Sequence, residues 1–352
     1  MLLVPAASAD SFVLSASEEM STGLGGGWGR GARADSGWHF FWSAGGDYVR
    51  LAMSEDLTVE DRDRDPLTGR TDLVDHSITQ CPDGSWLHAA STSGGTPNDG
   101  GRTFRYDADF QLVGDGALET DASVAHNDLA VVCSGIVDGV AYGGDQAFFA
   151  RIGEDGAPET PVQLEGAPSF MGASLAWRNE QLWAVNFDRS GNLRVASWDE
   201  DLDLVEGWDV PADGDLRGYW GQGLTRVGQT WVLAHMARND AEGWDLDYGD
   251  VYLSFYDNDW NLLERVQLSE NTPPTGGMRP GLALDGDQLL VYYDKEVQPR
   301  LFDVELDLDA MGPPDPEADT GGPGGDCGCA TGGQPGIAAA LLAFSVVLRR
   351  RG

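Results

Sequence analysis

Six short stretches place aromatic, cationic or imidazole side chains just ahead of a hydrophobic run. They are Trp28-Gly29-Arg30, Asp75-His76, His126-Asn127, Phe170-Met171, Tyr219-Trp220 and Met278-Arg279. Two of the chain's five histidines, His76 and His126, hold matching positions in neighbouring stretches. Rings pack on the apolar face of a sugar or a peptide while Arg and Asn fix its orientation through hydrogen bonds. The candidate ligand-binding residues are therefore Trp28, Arg30, His76, His126, Asn127, Tyr219, Trp220 and Arg279. The competing expectation is that these side chains simply fill a structural channel.

Other chemistries find less support. His76 and His126 with Asp75 or Asp128 supply metal-ligand types, but no CxxC or HExxH spacing accompanies them. The carboxylate-rich stretches Asp61-Arg62-Asp63-Arg64-Asp65 and Asp245-Leu246-Asp247 would suit calcium, yet neither follows the helix-loop calcium pattern. No cofactor is expected beyond that calcium candidate. Ser134 follows Cys133 without a GxSxG turn to activate it. Which carboxylates pair in space is not readable from spacing, so an extracellular hydrolase or lyase stays as an alternative, and no catalytic residue is assigned.

The elements that must position these residues are short strands. Between about Asp10 and Ala310 there is no helical periodicity, only aromatic and β-branched runs broken by turns. Two markers recur. The first is a turn between apolar runs: Asp35-Ser36-Gly37, Pro82-Asp83-Gly84, Val137-Asp138-Gly139, Arg178-Asn179-Glu180, Arg226-Val227-Gly228 and Asp285-Gly286-Asp287. The second is an acidic turn leading to an apolar residue, as in Glu55-Asp56-Leu57, Asp107-Ala108-Asp109-Phe110, Asp199-Glu200-Asp201-Leu202 and Asp257-Asn258-Asp259-Trp260. Each marker returns about every fifty residues, close to the period of a four-stranded propeller blade. The spacing predicts an all-β, six-bladed β-propeller over residues 10–311. Five or seven blades, or a double β-sandwich, are the alternatives. The last repeat shows three strands, and Ser11-Phe12-Val13-Leu14-Ser15 is expected to supply its fourth and close the ring. Neither the sialidase box nor the paired Gly-His and Trp-Asp of WD40 blades occurs.

The chain carries 58 acidic against 22 basic residues, a net charge of −36. That balance excludes a nucleic-acid partner, which needs a basic surface, and disfavours adsorption to anionic lipid. Cys81 and Cys133 fall near corresponding turns of adjacent repeats and would form one interblade disulfide in an oxidising compartment; two buried thiols are the alternative.

The two ends read as addresses. Residues 1–9 close on Ala7-Ser8-Ala9, a small-x-small pattern of signal-peptide cleavage, and are expected to be the remnant of a signal peptide that begins upstream. Residues 312–326 form a Pro/Gly/Asp linker that cannot bury apolar area. Residues 327–352 hold Cys327-Gly328-Cys329, a short apolar run from Ile337 to Leu348, and Arg349-Arg350-Arg351. A helix of about a dozen residues rises only ~18 Å, short of the ~30 Å hydrocarbon core.

This order of parts resembles the MYXO-CTERM sorting tail of myxobacteria and their relatives, over the last thirty or so residues. The resemblance implies cutting near the cysteine by a sorting protease and a lipid on Cys327 or Cys329. It implies an exported protein on the cell surface or outer membrane, touching the membrane only through its tail. Together these features predict a surface-anchored binding or adhesion module for an extracellular glycan or protein, with a structural envelope protein as a further alternative.

Overall fold

Each fifty-residue step is one antiparallel sheet of four strands. The computed structural model describes residues 11–21, 29–34, 37–44, 47–54, 57, 59–63, 68, 70, 72–92, 101–118, 129–143, 146–168, 173–188, 190–212, 216–239, 242–244, 248–295 and 298–313. The chain begins with β1 (Val13–Ala16) and β2 (Met20–Ser21). The first blade is then β3 (Arg30–Ala34), β4 (Gly37–Ala44), β5 (Asp47–Met53) and β6 (Val59–Asp63). The second is β7 (Leu73–Gln80), β8 (Trp86–Thr92), β9 (Arg102–Tyr106) and β10 (Leu112–Ala117). The third is β11 (Leu129–Cys133), β12 (Asp138–Tyr142), β13 (Phe148–Arg151) and β14 (Val162–Gln163). The fourth is β15 (Ser174–Arg178), β16 (Gln181–Phe187), β17 (Leu193–Trp198) and β18 (Leu204–Val210). The fifth is β19 (Leu216–Val227), β20 (Thr230–Asn239), β21 (Asp250–Tyr256) and β22 (Leu262–Gln267). The sixth is β23 (Gly277–Asp285), β24 (Gln288–Lys295) and β25 (Gln298–Leu306), with β1 as its outer strand and β2 also paired to β25.

The first strands of successive blades touch in turn, from β3 to β7 and onward to β23, and β23 touches β3. Six sheets thus close into a ring, a six-bladed β-propeller. Strands near the axis are covered on both faces by neighbouring blades, so Leu129–Cys133 is buried at every residue. The outer strands carry the charge: Leu204–Val210 is mostly exposed. This gradient explains why β11 reads as an unbroken apolar run, whereas a strand wetted on one face would alternate.

The first marker is the hairpin between first and second strands. Asn179 and Glu180 both sit at positive φ, +52° and +57°, the signature of a two-residue type I′ connection. Gly228 and Gly286 take the same region at +57° and +61° in their blades. The second marker is the turn between third and fourth strands. Asp107, Asp199 and Asp257 each accept, on Oδ1, two backbone N–H groups of their own turn. The apolar residue that follows lies in the left-handed region: Leu57 at φ +59°, Phe110 at +60°, Leu202 at +67° and Trp260 at +61°. Such backbone costs about 1–2 kcal/mol for a residue with a side chain, and burial offsets it. Trp260 stacks on Trp231 of its own blade at 5.3 Å and meets Trp183 of the fourth blade at 6.2 Å. Phe110 packs on Trp86 at 4.7 Å and reaches back to Phe41 of the first blade at 5.7 Å. The acidic turn therefore aims an apolar wedge at the preceding blade.

The ring is locked by the N-terminal strand. Val13 pairs Leu306 and Ala16 pairs Val304. Phe12 N and Ser11 Oγ donate to the two oxygens of Glu264 in the fifth blade, at 2.7 and 2.9 Å. Phe12 stacks on Phe255 at 5.1 Å. Cys81, just after β7, and Cys133, at the end of β11, are joined in a disulfide between the second and third blades, with a Cα separation of 5.0 Å.

Antiparallel order sorts the loops onto two faces. One face holds both hairpin markers; the other holds the turns between second and third strands and the loops that lead into the innermost strands. Met311 O accepts hydrogen bonds from Gln229 N and Thr230 Oγ1, beside the β19–β20 hairpin. The C-terminal end of the described chain therefore leaves from the hairpin face. Residues 1–10 and everything after 313, including Cys327, Cys329, the linker and the arginines, lie outside the described residues.

Candidate functional site

The mouth of the channel comes first, because the sequence points there. Arg30 opens β3 and Asp75 lies in β7, so the two side chains meet across neighbouring blades. Arg30 Nη2 is 3.3 Å from Asp75 Oδ1, and Arg30 Nη1 donates to Gly29 O at 2.9 Å. Asp75 Oδ1 also accepts His76 N at 2.8 Å. On the other side, Gly29 N donates to Asp294 Oδ1 at 3.4 Å, and Arg279 Nη1 stands 3.7 Å from Asp294 Oδ2. Alternating charges from the sixth, first and second blades thus line one arc of the mouth. Asp75 and Asp294 are each 1% exposed. Asp75 Oδ2 is buried without a hydrogen-bond partner among the described residues.

The His76 ring is fully buried and lies edge-on to His88 at 5.3 Å. Arg279 takes φ +52°. Tyr219 and Trp220 belong to β19, where the pairing with β20 slips between Tyr219 and Gly223. Trp28, His126, Asn127, Asp128, Phe170 and Met171 lie outside the described residues, as do Asp245 and Asp247. Among the described residues, Cys81, Cys133 and Asp138 group ligand atoms within 4.8 Å, but both sulfurs belong to the disulfide and are not thiolate ligands.

A second concavity lies away from the axis, between the fourth and fifth blades. It is a cleft of about 350 Å³, near the small end of ligand pockets. Phe187, Gly191 and Leu193 come from the β16–β17 turn and its flanks, and Val210, Pro211 and Ala212 from the end of β18. Gly218, Tyr256, Leu262 and Arg265 come from the fifth blade. Its lining runs from the β16–β17 turn, on the side of the channel mouth, to Tyr256 and Leu262, which flank the β21–β22 turn on the hairpin side. Gly218 makes the cleft fit together, since a Cβ there would stand 2.2 Å from the Phe187 ring. Phe187 in turn covers His235 at 4.9 Å, and Tyr252, its register partner on β21, stacks beside that imidazole at 5.9 Å.

Ser254 Oγ is 2.7 Å from His235 Nε2 and 3.1 Å from Arg265 Nε. A serine and a histidine at that distance match the geometry of a nucleophile and its base. Here the pair does other work. Ser254 is 0% exposed and His235 1%. Burial, helped by Arg265, pulls the imidazole pKa down to about 3, too weak a base to activate a hydroxyl at neutral pH.

No family model matches the chain, and no curated protein does. Solved structures do. A protein of unknown function from Dyadobacter fermentans shares 13% identity over 82% of this chain and 98% of its own, with a TM-score of 0.60. The BP39L lectin from Burkholderia pseudomallei shares 10% over 80% and 82%, with a TM-score of 0.52. A fucose-specific lectin from Aleuria aurantia shares 11% over 78% and 90%, at 0.50. At these identities the likeness carries the fold alone.

The cleft residues were not among those singled out from the sequence. Arg265 reads as an ordinary charge on an outer strand, and Phe187 as the end of an apolar run. Only the hairpin register of two separate blades brings them together. Gly218, just ahead of Tyr219-Trp220, was the one readable sign of a close approach.

Proposed function

We propose that the protein is a carbohydrate-binding propeller, exported and held at the cell surface by its C-terminal tail. The observation that carries the reading is the cleft between the fourth and fifth blades. The half-buried Phe187 ring and an aliphatic wall from Val210 and Leu262 suit the C–H face of a pyranose, and Arg265 supplies hydrogen-bond donors. Two of the similarly folded structures are named as lectins, which is in keeping with the same use of the scaffold.

Three features support display. The Cys81–Cys133 bridge suits an oxidising compartment. The excess of carboxylates suits a protein that must stay soluble outside the cell. The described chain ends on the hairpin face, so a tether beginning at residue 312 would turn the channel mouth outward. On this reading Cys327 or Cys329 carries the lipid, and the protein partner of the tail is a sorting protease. Of the channel-mouth candidates, Arg30 and Arg279 are paired to Asp75 and Asp294, and the His76 ring is fully buried, so the mouth is assigned no second contact area.

A glycan array probed with the purified protein tests the reading. Saturable binding to a defined set of glycans is expected, and its loss in Ala212→Trp, which fills the cleft. An array without specific binding would sink the proposal. Metabolic labelling with a clickable fatty acid tests the address, with label expected on the native protein and absent when Cys327 and Cys329 are both replaced by serine.

A further inference from the structure

Cys81 follows β7 of the second blade and Cys133 ends β11 of the third, and each is 2% exposed. Asp138 opens β12 and is the register partner of Cys133 across the hairpin. The two sulfurs and one carboxylate oxygen of Asp138 all lie within 4.8 Å of one another. Joined in a disulfide, the sulfurs are not ligands. Opened, they become two thiols facing each other and a carboxylate, a ligand set for zinc. Sulfur and oxygen ligands of a tetrahedral zinc stand roughly 3.5–3.8 Å from one another. Cysteines whose Cα atoms are 5.0 Å apart reach that spacing by turning about their Cα–Cβ bonds. The carboxylate is already aimed, since Asp138 Oδ1 accepts Ser134 N at 3.0 Å and Gly135 N at 2.9 Å. Its side chain is 18% exposed, which leaves a side open for the ion to enter and for water as the fourth ligand.

Charge favours the metal over bare thiolates. Arg105 of β9 stands 3.2 Å from Asp138 and 3.6 Å from Asp83, so two carboxylates already outnumber its one charge. Two thiolates alone would bury two further negative charges, which is costly without a counter-charge. A zinc ion bound by two thiolates is neutral as a group, like the disulfide it replaces, so the charge buried at this junction does not change. We propose that Cys81, Cys133 and Asp138 form a redox-gated zinc site between the second and third blades, closed while the bridge is intact and open once it is reduced. In the opening step the S–S bond breaks. A dithiol reductant supplies two electrons and two protons and becomes a disulfide itself. Zinc then displaces the two thiol protons as it binds. The metal keeps the two blades joined where the bridge cannot.

The test uses the full-length chain with Cys327→Ser and Cys329→Ser, so that the tail cysteines do not compete for metal. The protein is reduced with a phosphine, freed of reductant under nitrogen, and titrated with Zn2+ and, for its spectrum, with Co2+. The reduced protein should take one ion per chain, release about two protons for each zinc, and show a thiolate-to-cobalt charge-transfer band. Zinc should raise its melting temperature. The oxidised protein should show none of these. Cys133→Ser should abolish the band, and Asp138→Asn should weaken zinc binding at least about tenfold. Thermal melts check that each variant is folded; should Asp138→Asn not fold, the proton count and Cys133→Ser decide. No stoichiometric binding by the reduced protein, equal binding by the oxidised protein, or undiminished binding in Cys133→Ser or Asp138→Asn would overturn the proposal.

Discussion

Arg30 of the first blade and Asp75 of the second form an ion pair of 3.3 Å between the innermost strands of neighbouring sheets, with side chains 9% and 1% exposed. Neither strand can satisfy its own charge. Asp75 holds a guanidinium from one blade and the backbone N–H of His76 from its own, so the channel mouth is stitched across the ring.

Breaking such a pair from one side leaves a buried charge without its partner, which typically costs 3–5 kcal/mol. Arg30→Ala and Asp75→Ala should each lose about that much in urea denaturation. Arg30→Met with Asp75→Leu should recover much of the loss. Single variants within about 0.5 kcal/mol of wild type would show that water reaches the pair.

The type I′ hairpin of the fourth blade places Glu180 at φ +57°, where a glycine has no Cβ to strain. Glu180 is exposed and its turn is a plain two-residue link. Glu180→Gly should therefore raise stability by about 0.5–1 kcal/mol, after the extra freedom of the unfolded chain is subtracted. Trp260→Ala, which empties the wedge between the fourth and fifth blades, should cost about 3–5 kcal/mol. Calorimetric melts of the two variants should move in opposite directions.

The Cys81–Cys133 bridge closes 52 residues and ties the second blade to the third. Loop-closure entropy puts its contribution at about 4 kcal/mol. Cys81→Ser with Cys133→Ser should lower the denaturation midpoint accordingly. Equal stability of reduced and oxidised protein would contradict a structural role.

Three buried histidines set a pH dependence. Burial, with Arg50 and Arg33 nearby, lowers His39 to about 4; burial lowers His88 and His235 to about 3. The unfolded chain therefore takes up protons near pH 6.5, before the folded one does. Stability is full above about pH 6.5 and falls as the pH drops toward 4, by at most about 1.4 kcal/mol per pH unit for each histidine. Urea midpoints between pH 7.5 and 4.5 should trace that slope, and a flat profile would mean that the imidazoles are reached by water.

The fold was legible because its turns write themselves into the chain. Glycine or asparagine at left-handed positions, and aspartates that accept their own turn's N–H groups, recur in nearly every blade. Closure by the N-terminal strand followed from the missing fourth strand of the last repeat. Phe110 and Trp260 could be seen as landmarks but not as wedges, since backbone φ leaves no trace in residue type for an aromatic. The site was less legible. Arg30 is committed to Asp75 of the neighbouring blade, while His76 packs on His88 and Arg279 pairs with Asp294 across adjacent strands of their own sheets, pairings that no sequence spacing announces. The cleft draws on β16, β18, β19 and β22, and no spacing rule links Phe187 to Arg265.

The most direct measurement is amide hydrogen exchange on the protein with and without a saturating array-derived glycan. Slowed exchange at Phe187, Gly191, Leu193 and Ala212, with the hairpins at Gly84 and Gly286 unchanged, is the predicted result. Protection confined to the hairpin face, or none at the cleft with glycan bound, would contradict a binding site between the fourth and fifth blades.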